Sequence, residues 1–76
     1  RMDLKTLARI VVQRGLDEAD DAEDLHSVVV DQVERELISQ LLLRCGGVQT
    51  KTASRLGMNR NTLSKKMKDY GLNLDD

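Results

Sequence analysis

Gly57 divides two stretches of helical periodicity within residues 46–72, GGVQTKTASRLGMNRNTLSKKMKDYGL, and no other feature limits the fold as much. Glycine takes a left-handed turn without steric cost, and the small Ala53 four residues earlier lets a second helix approach closely. After the glycine, Met58 and Asn59 lead into a segment carrying Arg60, Lys65, Lys66 and Lys68. Two short helices joined by so tight a turn make a helix-turn-helix, whose second helix is suited to entering a DNA groove.

The ends of that second helix carry consistent signals. Asn59 is a favoured N-cap, able to accept a hydrogen bond from a backbone N–H two or three residues on. With that cap, Met58 and Leu63 fall on the two positions of a hydrophobic staple. Gly71 occupies the left-handed position after the helix, where Leu72 can fold back on Met67. The pattern predicts a helix from about Arg60 to Tyr70, roughly 16 Å long at 1.5 Å per residue. Leu63, Met67 and Tyr70 recur at helical spacing and leave Arg60, Asn61, Ser64, Lys65 and Lys68 facing outward.

Two more helices are predicted upstream. Asp3 can cap a first helix whose Leu4, Leu7, Ile10 and Val11 form one stripe, with Gly15 as its end. Residues 17–24, DEADDAED, hold six acids in eight positions, and such self-repelling charge reads as a solvated loop or linker. They lack the Gly and spaced Glu of a calcium loop. A long helix follows from about Asp24 to Arg44. Its Leu25, Val29, Val33, Leu37 and Leu41 repeat every four residues, and Val28, Val30, Ile38 and Leu42 widen the stripe. That is more apolar surface than two short helices can cover, so a second copy of the same helix is the expected partner. The expected fold is all-α: four helices, with a long dimerisation helix followed by a C-terminal helix-turn-helix. Residues 1–24 form the N-terminal helix and acidic loop, for dimerisation or linkage, and residues 25–76 the DNA-binding domain.

Composition supports this and excludes other classes. There is no Phe, Trp or Pro and a single Tyr, so the core of this 76-residue chain must be aliphatic and small. Apolar runs are too short to span a membrane, and no signal peptide is visible. A lone Cys45 cannot form an internal disulfide, which fits a reducing cytoplasm. His26 and Cys45, about 28 Å apart along the predicted helix, form neither a nucleophilic dyad nor a zinc site. His26 reads as a partly exposed helix residue and Cys45 as a small buried one. No catalytic residue, cofactor or metal is expected.

A net charge of −1 hides a division: residues 1–40 hold five basic and ten acidic side chains, residues 41–76 seven basic and three acidic. From Arg44 to Lys68 there are seven basic residues and no acid. On a near-neutral chain, such a basic face is the footprint of phosphate binding, the alternative being a solvated face without a partner.

Gly47, Gln49, Thr50, Lys51, Ala53, Leu56, Gly57, Asn59-Arg60, Thr62-Leu63, Lys65-Lys66 and Tyr70-Gly71 together resemble the Fis family of bacterial DNA-binding domains. That group includes the domains that end NtrC-type enhancer-binding activators. Upstream, Asp24-Leu25, Val33-Glu34 and Leu37-Ile38 look like the long helix preceding the motif in that family. The resemblance implies a homodimer with one helix-turn-helix at each end, reading two-fold related half-sites in the major groove of double-stranded DNA. Three architectures stay open: a dimer through the first and second helices, a dimer through the second alone, or a monomer needing its parent protein. Carried over position by position, it implies DNA contacts from Thr50, Asn59, Arg60, Asn61, Thr62, Lys65, Lys66 and Lys68. Arg60 is the candidate for a bidentate contact to guanine. Thr50 and Thr62 are candidate phosphate hydrogen-bonders, with capping an equal role for Asn59 and Thr62. The implied dimer surface is Leu25, Val29, Val33, Leu37 and Leu41.

Three positions depart from the family pattern. Val48 replaces the usual Asn before the third helix, and Ser64 and Asp69 stand where the nucleoid protein carries Arg and Lys. These changes lower positive charge and favour an operator-finding regulator over a DNA-coating protein. The expected function is therefore sequence-specific DNA binding as the dimeric C-terminal domain of an NtrC-type activator. The acidic run would then lie in or beside a linker to an ATPase domain. A chain opening on Arg1 rather than Met fits such a piece of a longer protein. The alternatives are a free-standing Fis-like DNA-bending protein on the bacterial nucleoid, or a dimerisation or docking module that binds no DNA.

Overall fold

Four helices and no strand make up residues 2–72, the part of the chain that the computed structural model describes. They are α1 (Leu4–Glu18), α2 (Leu25–Arg44), α3 (Gln49–Leu56) and α4 (Arg60–Asp69), as the all-α expectation required. Residue 1 and the last four residues of the expected 25–76 domain lie outside the described residues. The chain divides into two compact units, residues 1–33 and 34–76, with the division inside α2. Among the described residues no helix is long and apolar enough to cross a membrane.

In the first unit, the Thr6 N–H donates to Asp3 Oδ1 at 2.9 Å and opens α1. That hydrogen bond holds the Asp3 carboxyl below its usual range. The helix then runs through Gly15 to Glu18, so Gly15 is not the terminator expected from sequence. A Cβ at position 15 would lie 2.6 Å from Val29 Cγ2, which identifies the glycine as the gap that admits Val29 of α2. Glycine inside a helix costs roughly 0.5–1 kcal/mol, and this close approach supplies the compensation. Asp17 and Glu18 consequently belong to α1, and the acidic loop shrinks to residues 19–24. Asp24 then caps α2, accepting from the Ser27 N–H at 3.3 Å and the Ser27 hydroxyl at 2.8 Å. No residue from Met2 to Val33 is buried, although Leu4, Leu7, Ile10, Val11 and Leu16 all lie in that stretch.

The second unit has a true core. Ile38 and Leu42 of α2, Ala53 of α3, and Leu63 and Met67 of α4 are buried together, with Leu56, Met58, Tyr70 and Leu72 packed against them. The turn between α3 and α4 depends on Gly57, whose φ of +75° is a left-handed conformation that side chains resist. It lets the Met58 N–H return to the Ala53 carbonyl at 3.1 Å, satisfying an orphan acceptor at the helix end. The same device closes α4, where the Leu72 N–H reaches the Met67 carbonyl at 2.7 Å. α4 therefore ends at Asp69, with Tyr70 as its cap, one residue before the predicted end. Thr52 is wholly buried, and its hydroxyl donates to the Val48 carbonyl at 2.9 Å. Cys45, expected to be buried, is only half-buried, because α2 stops at Arg44 and the thiol lies in the turn that follows.

Candidate nucleic-acid interface

The start of α4 is fixed by a side-chain cap. Asn59 is extended (φ −80°, ψ 162°), and its Oδ1 accepts from the Thr62 N–H at 2.8 Å. The cap commits the Asn59 oxygen and leaves its amide N–H groups as the part able to meet an outside acceptor. Leu63 and Met67 bury the inner face of the helix, and Met58 packs on the same core, as a hydrophobic staple requires.

That anchoring determines what faces outward. Arg60, Asn61, Thr62, Ser64, Lys65 and Lys68 are exposed. Arg60, Lys65 and Lys68 hold no ion pair among the described residues. No described acid compensates their positive charge through an ion pair, and the planar Arg60 fork is carried by the first turn of the helix.

Lys66 is placed differently. Its Nζ lies 3.0 Å from Glu34 Oε1 of α2, and the same oxygen accepts from the Tyr70 hydroxyl at 2.6 Å. The Tyr70 hydrogen bond is the main cause that holds the Glu34 carboxyl below its usual 4.5; Lys66 acts in the same direction, and burial opposes both. This cluster was missed in the sequence. Its only trace there is spacing: Lys66 and Tyr70 stand one turn apart on α4, and Glu34 stands one turn before the core residue Ile38.

α3 contributes a second polar surface. It begins at Val48 without a side-chain cap, as the absence of the usual Asn implied. Thr50 is exposed in its first turn. Thr50, Lys51, Ser54 and Arg55 join Arg44 and Cys45 around an open groove of about 540 Å³. Two cations on α3 and one at the end of α2 therefore border one concavity, beside a stretch free of acids.

Of the residues expected to form a dimer surface, Leu25, Val29 and Leu41 are half-buried in the single chain. Val33 and Leu37 are 51% and 54% exposed.

The model of the Fis family of bacterial regulatory proteins matches residues 29–70, from the middle of α2 to the cap of α4. A protein of Xylella fastidiosa (strain Temecula1) named as Fis-like and DNA-binding is 44% identical over 64 residues, covering 82% of this chain and 71% of that protein. The DNA-binding protein Fis of Aliivibrio fischeri (strain MJ11) is 42% identical over 53 residues, 70% of this chain and 54% of its own. The Fis protein of Proteus mirabilis matches to the same extent. No solved structure matches the chain.

Proposed function

Since this chain belongs to the Fis family of bacterial regulatory proteins, we propose that it binds double-stranded DNA by inserting α4 into the major groove, as a homodimer on two-fold related half-sites. The observation that carries this reading is the outer face of α4: Arg60, Lys65 and Lys68 stand exposed and without ion pairs among the described residues, on a helix anchored by Leu63 and Met67. A helix held on its inner face and cationic on its outer face can dock on a duplex without rearranging.

The contacts divide by position. Arg60 and Asn61, in the first turn, meet base edges, and the Asn59 amide joins them. Thr50, Thr62, Lys65 and Lys68 hold the phosphate backbone, which sets orientation and most of the affinity. The dimer is supported by apolar surface left uncovered: nothing from Met2 to Val33 is buried, and Val33 and Leu37 are more than half exposed. A second copy of the chain would cover Val33 and Leu37 and pack along Leu25, Val29 and Leu41. In this scheme residues 1–24 serve dimerisation and residues 25–76 bind DNA.

These relatives are named as Fis or Fis-like DNA-binding proteins, which favours a Fis-like DNA-binding protein over the C-terminal domain of an NtrC-type activator with an upstream ATPase. We accordingly put the chain on nucleoid DNA in the bacterial cytoplasm. Anisotropy titration of labelled duplexes at low salt tests the proposal. Saturable binding that weakens steeply with salt is the expected result. A folded chain that binds no duplex at low salt would leave the module without DNA binding as the surviving alternative.

A further inference from the structure

We propose that Glu34 is a positioning residue for DNA recognition: it holds Lys66 and Tyr70 on one carboxylate oxygen, keeps the Lys66 ammonium off the phosphate backbone, and fixes the pose in which α4 presents Arg60. The inference rests on the DNA-binding reading above and assigns a role to a cluster that reading does not use.

The geometry is specific. Two donors one helical turn apart on α4 converge on a single atom of α2, from 32 and 36 residues away in sequence. Glu34 sits one turn from Ile38, so the clamp extends the apolar α2–α4 contact with a directional, charge-assisted one. Apolar packing of Ile38, Leu42, Leu63 and Met67 tolerates small sliding and rotation, whereas two hydrogen bonds to one oxygen do not. Arg60 lies at the far end of α4 from Tyr70, so a small rotation at the clamp would displace its guanidinium most.

Charge points the same way. The Lys66 and Glu34 side chains are 35% and 25% exposed, so their attraction is less screened than that of an open surface pair. To reach a phosphate, Lys66 must leave a carboxylate already 3.0 Å away. Among the described residues, Lys65 and Lys68 face no such competition. Glu34 thus subtracts one cation from the sequence-independent part of binding, and selectivity rises because base contacts carry a larger share of the total.

The test uses the whole chain and two duplexes, one selected from a random pool for tight binding and one scrambled, titrated at several salt concentrations. Each phosphate neutralised steepens the slope of log affinity against log salt by about 0.9. Lys66→Ala should leave the wild-type slope unchanged, whereas Lys65→Ala should flatten it by about 0.9 for each half-site, about 1.8 for the dimer. Glu34→Gln, which keeps the shape and removes the charge, should steepen it by about the same amount and tighten the scrambled duplex more than the selected one. Adding Lys66→Ala to Glu34→Gln should abolish that gain. A Lys66→Ala slope as flat as that of Lys65→Ala, or a Glu34→Gln slope equal to wild type, would overturn the proposal.

A second readout needs no DNA. The Glu34 carboxyl carbon, followed by NMR, should titrate below 4.5 in the wild type and move upward in Tyr70→Phe and Lys66→Ala. A midpoint that neither substitution moves would overturn the clamp even where Glu34→Gln does not fold. Failure of every duplex to bind, with the midpoint moving as expected, would reject the DNA reading while leaving the clamp intact.

Discussion

Leu37→Ala tests whether the exposed face of α2 is the proposed dimer surface, with Leu63→Ala as the contrast in the chain's own core. Leu37 is 54% exposed on α2, while Leu63 of α4 is 0% exposed. Taking a leucine fully out of water is worth about 1.5–3 kcal/mol, so the half of Leu37 still in water is worth roughly 1 kcal/mol. Two-fold symmetry counts that contribution twice in a dimer, giving about 2 kcal/mol. At 1.4 kcal/mol per factor of ten, the dimer dissociation constant should rise about 30-fold. Leu63→Ala should instead cost about 2–5 kcal/mol of folding stability, through transfer and cavity together. That is a large part of the total, since a chain of this size commands about 4–11 kcal/mol. Sedimentation equilibrium across a wide concentration range reads the first effect, and urea unfolding reads the second. A Leu37→Ala variant that keeps the wild-type dimerisation constant, or a wild-type chain that remains a folded monomer at high concentration, would refute the reasoning.

Arg60→Ala should cost about 1–3 kcal/mol of binding at each half-site and flatten preference at one base pair there, whereas Lys65→Ala should weaken selected and scrambled duplexes equally; equal losses from both variants on both duplexes would make Arg60 a backbone clamp. Gly57→Ala meets no atom within 4 Å, so its cost comes from the φ of +75° alone, about 1–2 kcal/mol, visible as a lower urea midpoint. The folded-state pKa of Glu34 is depressed, so its contribution to stability is complete above the unfolded value near 4.5 and is lost as pH falls through the lower folded value. Asp3 and Asp24 are lowered in the same sense by their capping bonds, so acid unfolding of Glu34→Gln should be less steep than wild type but not flat. If the dimer sets its two α4 helices closer than one duplex turn, DNA must bend, at a cost of about 1–6 kcal/mol over 20–30 bp. Fragments bound at the centre should then migrate more slowly than fragments bound at the end, and identical mobilities would count against bending.

What was legible in the sequence was what short-range chemistry decides. Asn59 caps α4 by bonding three residues ahead, and Gly57 and Gly71 close helices by returning a following N–H to a carbonyl five residues back, so a reading of neighbours found all three. Gly15 misled for the opposite reason: its role is set by Val29, fourteen residues on, and local rules know glycine only as a helix breaker. Asp17 and Glu18 were assigned to the loop as a consequence of that one error. The apolar stripe of α2 was visible as a stripe, but periodicity did not divide it into Ile38 and Leu42, which the chain buries itself, and Val33 and Leu37, which it leaves in water. Lys66 stood among the DNA contacts that the family resemblance implied, and its pairing with Glu34 stayed hidden because that partner lies beyond the range of any spacing rule.

Mapping by ¹H–¹⁵N NMR during titration with a short duplex tests most directly the claim that this chain reads DNA through α4. At low salt, the account predicts saturable shifts at the backbone amides of Thr50 and of Asn59 to Thr62, continuing to Lys65 and Lys68. Ile38 and Leu42 should be nearly still, and α1 unmoved. Shifts confined to α1 and the N-terminal half of α2, or none at any duplex concentration, would contradict it.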